Sequence, residues 1–150
     1  MLSSGVAALR QRPDPHPEFE ALYLAEKYIR GARGWEYLQE DLAHYEATVW
    51  TGDGKKLQLR ASMSRGEIAI VLACRNTQVV RKYHSHTGHR NPGGEIIDGP
   101  HKHYPSVGDM GAHFAYEVYD ISADSDLNEA LIGFLDESRI DLVEPYQRRF

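Results

Sequence analysis

A histidine-rich segment in the middle of the chain contains the residue types best suited to chemistry. Five of the eight histidines fall within the 20 residues from position 84 to position 103, where an even distribution over 150 residues would place about one. They are His84, His86, His89, His101 and His103. Neutral imidazole nitrogens bind transition metals, and imidazoles that titrate near neutral pH can exchange protons. This segment is therefore the candidate functional site.

The periodicity of a strand decides which of these histidines can meet. Side chains alternate across a strand, so His84 and His86 share one face, and His101 and His103 share one face. If the two strands pair as the arms of a long hairpin, these four imidazoles converge. His89, in the connecting loop, could then fold back over them.

The connecting loop, residues 87–100, is longer than two paired strands require. Loops of this length usually have a function or lack a fixed structure. Six of its residues are glycine or proline: Gly88, Pro92, Gly93, Gly94, Gly99 and Pro100. The prolines and the flanking strands favour a fixed loop.

Metal binding is the first chemistry that this pattern allows. His89, His101 and His103 would supply three neutral nitrogen ligands and leave one position open, which suits zinc or another divalent transition metal. Three carboxylates in or near the loop could complete the shell: Glu95, Asp98 and Asp109.

Acid–base catalysis is the second chemistry, and it needs no metal. The same histidines, His89, His101 and His103, would act as base and acid in phosphodiester cleavage. Arg90 and Lys102 each adjoin a histidine and could bind the phosphate, and Asn91 could orient a ligand or the loop. A third interpretation is structural, because histidines also hydrogen-bond loop carbonyls.

Two short motifs resemble a known but uncharacterised family. The segment from His89 to Ile96 reads HRNPGGEI, and the segment from Gly99 to Tyr104 reads GPHKHY. Together they resemble a family of small bacterial and prophage-borne proteins with the pattern His-x-Asn-Pro-Asp-Gly-Glu, followed by a Pro-His-x-His-x-Tyr strand. The matching residues are His89, Asn91, Pro92, Gly94, His101 and His103.

The resemblance extends from about Trp50 to about Ser138. It implies a bacterial or phage-associated setting and no established activity. Gly93 stands where the pattern has Asp, and His84 and His86 match nothing in it.

The elements that would position the histidines predict an α+β fold. Apolar residues from Phe19 to Ile29 recur at helical spacing, and a short second helix is expected between Trp35 and His44. From Ala47 the period changes to two, which predicts an antiparallel meander sheet of about five to six strands. A C-terminal helix follows from position 127, capped by Asp124 or Ser125 with Glu129 close behind. We expect a flexible arm over 1–17 and a single α+β domain over 18–150.

Composition excludes several classes of protein. The net charge is −5, so the chain as a whole has no electrostatic attraction for nucleic acid or anionic membranes. No apolar run approaches the roughly 20 residues of a membrane span, and the N-terminus lacks the core of a signal peptide. With one cysteine, the chain is expected to be cytoplasmic.

Three functional hypotheses follow. The first is a hydrolase-like enzyme acting on a phosphodiester or nucleotide. The second is a binding or regulatory module whose loop 87–100 contacts nucleic acid or a host or phage protein. The third is a three-histidine metal protein.

Overall fold

The fold is known from a computed structural model that describes residues 12–30, 36–39, 42–74, 77–85, 88–119, 121–122 and 125–143. Within these ranges there are two α-helices, α1 (Pro17–Leu24) and α2 (Leu127–Glu137). The strands are β1 (Lys27–Ile29), β2 (Glu36–Gln39), β3 (Leu42–Thr51), β4 (Lys56–Ser64), β5 (Glu67–Cys74), β6 (Gln78–His84), β7 (His89–Arg90), β8 (Ile96–Ile97), β9 (His101–His103), β10 (Ala115–Glu117) and β11 (Ile140–Leu142).

The main sheet is mixed and contains more strands than predicted. Eight strands lie side by side in the order β10-β9-β6-β5-β4-β3-β1-β11, and β2 also pairs with β3. Neighbours are antiparallel except for β1 and β11, which are parallel. The α+β class is confirmed. The prediction of five to six strands is wrong because strands of three residues, such as β1 and β11, are too short to show a period.

Both helices pack on one face of this sheet. Along β3 every second residue is buried, and β5 shows the same alternation. The buried residues of α1 and α2 belong to the same apolar cluster as the buried residues of these strands. The alternate residues of the strands are half-buried and form the opposite face. The candidate site lies on that opposite face.

The first helix is shorter than its periodicity predicts. It ends at Leu24, and Tyr28 and Ile29 belong to β1 instead. The buried ammonium group of Lys27 donates hydrogen bonds to carbonyls at the end of the helix, 2.8 Å from Leu22 O and 2.8 Å from Tyr23 O. These contacts stop the helix, and pairing with the distant β11 extends the chain that follows.

Two other local predictions differ from the structure. The expected helix between Trp35 and His44 is wrong, because residues 36–39 form β2 and His44 lies in β3. Trp35 is outside the described residues. The cap of α2 is Asp126, which forms a capping box with Glu129; Ser125 precedes it, and position 124 is not described.

The described end of the predicted N-terminal arm lies against the loop after β9. The hydroxyl of Tyr104 donates to the carbonyl of Pro13 at 2.6 Å, and the backbone N–H of His16 donates to the carbonyl of Pro105 at 2.9 Å. Residues 1–11 lie outside the described ranges. Among the described helices, neither is long and apolar enough to cross a membrane.

Candidate functional site

The pairing of β6 with β9 brings histidines from both strands together. In this antiparallel register His84 lies opposite His101, and Lys82 lies opposite His103. Residues directly opposite one another share a face, so these four side chains lie together on the face away from the helices. The hairpin arrangement expected for His84, His101 and His103 is therefore present. The neighbouring His86 lies outside the described residues.

Three imidazoles form a compact cluster. The ring centroid of His84 lies 5.4 Å from that of His101 and 5.5 Å from that of His103. The centroids of His101 and His103 are 5.1 Å apart. One ring nitrogen from each residue lies within 4.8 Å of the other two. His101 and His103 are buried, and His84 is half-buried.

Backbone carbonyls fix the orientation of two of these rings. Nδ1 of His101 lies 2.9 Å from the carbonyl oxygen of Gly99, and Nδ1 of His103 lies 2.9 Å from that of Ala112. A carbonyl only accepts, so Nδ1 carries the proton in both rings and Nε2 presents a lone pair. Nε2 of His103 is buried and has no hydrogen-bond partner. A buried lone pair of this kind can be satisfied by a water or by an ion.

The environment keeps the cluster uncharged. Burial lowers the pKa of His103 to about 3, although the hydrogen bond to Ala112 opposes this shift. Burial and the positive charge of Lys82 lower the pKa of His84 to about 4, and burial also lowers the pKa of His101. Neutral imidazole is the form that binds metals. A ring that is neutral at pH 7 is also a poor general acid.

His89 lies over the cluster from the loop. Its ring centroid is 4.6 Å from that of His103 and 5.4 Å from that of His101. Its Nε2 lies 2.8 Å from the carbonyl oxygen of His113. His113 is in turn fixed by Asp109, whose carboxylate contacts both its backbone N–H and its Nδ1 at 2.8 Å. The structure thus brings together the three predicted ligands His89, His101 and His103, with His84 beside them.

Asn91 fixes the loop to the edge of the sheet. Its side-chain amide donates to the carbonyl of Ala115 at 2.9 Å and accepts from the N–H of the same residue at 2.7 Å. The side chain is buried and replaces a neighbouring strand for β10. Asn91 therefore joins the loop to β10.

The other predicted site residues do not converge on the histidines. Lys102 is fully buried on the helix-covered face, and its Nζ lies 2.5 Å from Oε1 of Glu137 in α2. Arg90, Glu95 and Asp98 are exposed on the loop.

Sequence reasoning missed two residues of the site. Lys82 lies two residues before His84 on β6, so strand periodicity alone places both side chains on the same face. The carbonyl of Ala112 accepts the hydrogen bond from His103 Nδ1, and Ala112 itself has a left-handed backbone conformation with φ of 58°. No feature of the sequence marks that carbonyl.

The fold and the site define an α+β protein with a histidine cluster on the sheet face opposite its helices. The sequence model of a family of unknown function (DUF6978) matches residues 52–140, and the chain belongs to this family. The match confirms membership of an uncharacterised family, and it includes the whole histidine cluster. No curated protein and no solved structure is significantly similar to the chain.

Proposed function

We propose that the protein binds a divalent transition metal, with zinc the best fit, through His84, His101 and His103. The observation that carries this proposal is the close approach of three ring nitrogens, all within 4.8 Å of one another. Zinc–nitrogen bonds of about 2.0–2.1 Å require ligand nitrogens about 3.4 Å apart in a tetrahedral site. Small side-chain rotations would bring the three nitrogens from their present spacing, within 4.8 Å, to the spacing of a zinc site.

Two features of the cluster support a metal over a purely structural role. In metal sites, the ring nitrogen that does not bind the metal commonly donates to a carbonyl, which orients the ring. His101 and His103 both make this contact through Nδ1. A metal would also satisfy the buried Nε2 of His103. Three protein ligands leave a coordination position for water or substrate, which is typical of catalytic centres.

His84 takes the place that the sequence analysis gave to His89 among the ligands. Nε2 of His89 is engaged with the carbonyl of His113, so its proton lies there and Nδ1 is the accepting nitrogen. We assign His89 to accept a proton from metal-bound water. The reaction class is then hydrolysis, with a phosphodiester or nucleotide as the substrate to test first.

Metal content tests the first part of the proposal. Untagged protein analysed by elemental mass spectrometry should contain about one metal ion per chain. The variants His84→Ala and His101→Ala/His103→Ala should lose it. His44→Ala, which removes a half-buried histidine from the same face of the sheet, should keep it. A metal-free wild type would contradict the proposal and favour loop 87–100 as a recognition surface.

Turnover tests the second part. Metal-loaded wild type should hydrolyse a simple phosphodiester such as bis(4-nitrophenyl) phosphate. His89→Gln should keep its metal and lose about 100-fold in rate. If the loaded wild type is inactive, the hydrolytic assignment fails while the metal site stands.

The biological setting is proposed from the sequence alone. The motif resemblance supports a bacterial or prophage-borne protein, and the single cysteine supports the cytoplasm.

A further inference from the structure

We propose that this metal centre takes an oxyanion as its ligand, and that Lys82 binds the oxyanion together with the metal. The inference rests on the proposed metal site. It adds a residue that binds the ligand, and it defines the charge of the ligand.

Lys82 lies within the histidine cluster by register. It is directly opposite His103 on β9 and two residues before His84 on β6, so all three side chains share one face. Cβ atoms of directly opposed residues are about 5 Å apart. Tyr83, between Lys82 and His84, is buried on the helix side.

Lys82 places a positive charge beside a site that is proposed to bind a cation. By register Lys82 neighbours His84 on β6 and lies opposite His103 on β9. A positive charge on the same face as the three imidazoles opposes the binding of a dication. An anion that lies between the Lys82 ammonium and the metal ion would offset the repulsion between these two positive charges.

The other lysines of the chain already have partners. Lys27 donates to backbone carbonyls, Lys55 pairs with Asp53, and Lys102 pairs with Glu137. The ammonium of Lys56 lies 6.0 Å from the ring centroid of Trp50. For half-buried Lys82, no ion pair or hydrogen bond is formed with another residue in the described part of the chain. This arrangement leaves its ammonium for an anionic ligand.

The neighbouring strand presents only short side chains to this part of the sheet face. On β5, Ala69 pairs with His84 and Val71 pairs with Lys82, so both project from the same face. Both side chains are short and half-buried. An oxyanion could therefore place one oxygen at the open metal position and another at the ammonium. Phosphate and carboxylate groups share this chemistry.

Cobalt substitution allows metal and anion to be followed separately. Co²⁺ bound by the histidines gives visible absorption bands, and an anion that enters the coordination shell shifts them. We expect inorganic phosphate to shift the bands of the Co²⁺-loaded wild type. Lys82→Gln should keep the Co²⁺ bands and bind phosphate about tenfold more weakly. Lys82→Arg should restore phosphate binding, and Lys56→Gln should match the wild type.

An acetate titration distinguishes the two sources of an oxyanion. A band shift with phosphate alone assigns a phosphoryl ligand, and a shift with acetate assigns a carboxylate. Either result supports the inference if Lys82→Gln binds that anion more weakly than the wild type. Co²⁺ bands that respond to neither anion would overturn the inference but not the metal site. An unaltered response in Lys82→Gln would overturn it as well. Absence of Co²⁺ bands from the wild type would instead contradict the proposed function.

Discussion

At the scale of single residues, His103 shows how the backbone can decide the chemistry of a side chain. The carbonyl of Ala112 accepts its Nδ1 proton and directs Nε2 into the cluster. Ala112 adopts φ of 58° to do this, a conformation that costs a residue with a Cβ about 1 kcal/mol or more. Strain of this kind persists where the surrounding structure requires it, and here it orients the ring of a proposed metal ligand.

The lowered pKa values of the histidines predict a pH dependence of stability for the metal-free protein. The folded state keeps His84 neutral down to about pH 4 and His103 down to about pH 3, against an ordinary value of 6.5. As pH falls below 6.5, the unfolded state takes up protons first, so the free energy of unfolding decreases between about pH 6.5 and 4. Urea unfolding in EDTA at pH 7 and pH 5 measures this.

The contribution of one histidine can be isolated. His84→Gln should reduce the difference in unfolding free energy between pH 7 and pH 5. It removes one of the groups that take up a proton in the unfolded state before they do so in the folded state. Equal unfolding free energies for the wild type at the two pH values would show that burial does not hold these rings neutral.

At the scale of elements, the side-chain amide of Asn91 joins the loop after β7 to β10. Asn91→Ala would leave both backbone groups of Ala115 without their side-chain partner, and we expect a loss of about 2–3 kcal/mol in the free energy of unfolding. Glu95→Ala, an exposed change in the same loop, is the control and should have little effect. An unchanged free energy of unfolding in Asn91→Ala would mean that other contacts fix the loop.

Strand β9 serves two purposes through its two faces. His101 and His103 form the site, while Lys102 joins the strand to α2 through Glu137. Glu137→Ala should destabilise the protein by about 3 kcal/mol, because it leaves a buried ammonium without this carboxylate. Metal content should not change, since the ion pair lies on the other face.

A double replacement tests the same ion pair without leaving a charge behind. Lys102→Met/Glu137→Leu should recover most of the stability that Glu137→Ala loses. Asp136→Ala, an exposed change on the same helix, should be close to wild type in urea unfolding. Loss of metal in the double variant would show that Lys102 does contribute to the site.

At the scale of the whole molecule, the site and the closing strand pair lie at opposite ends of the sheet. The histidines are on β6 and β9 near one edge, and β1 and β11 complete the other. Ile140→Ala should therefore cost about 2–4 kcal/mol of stability through lost core packing while the folded protein keeps its metal. Asp141→Ala, exposed on the same strand, is the matched control. Metal loss in a folded Ile140→Ala variant would contradict this separation.

The sequence predicts the parts of this molecule that rest on local periodicity. The unbroken apolar run from Ile68 to Ala73 is typical of a central strand, and β5 occupies Glu67–Cys74. The turn residues Thr51-Gly52-Asp53-Gly54 lie where β3 turns into β4. The shared face of His101 and His103 also follows from alternation. Parallel pairing of β1 with β11 depends on contacts between distant segments, which no local pattern encodes. The same is true of the pairing of Lys102 with Glu137.

The parallel pairing of Lys27–Ile29 with Ile140–Leu142 also has a consequence for synthesis. On the ribosome, β1 is made early, but its outer partner emerges only after every other described strand. Until then β1 has no outer partner and forms an unprotected edge, and contacts this far apart in sequence form slowly. The nascent chain is therefore most open to strand addition by neighbouring chains at this edge, far from the histidines, and a chaperone would have most to protect there.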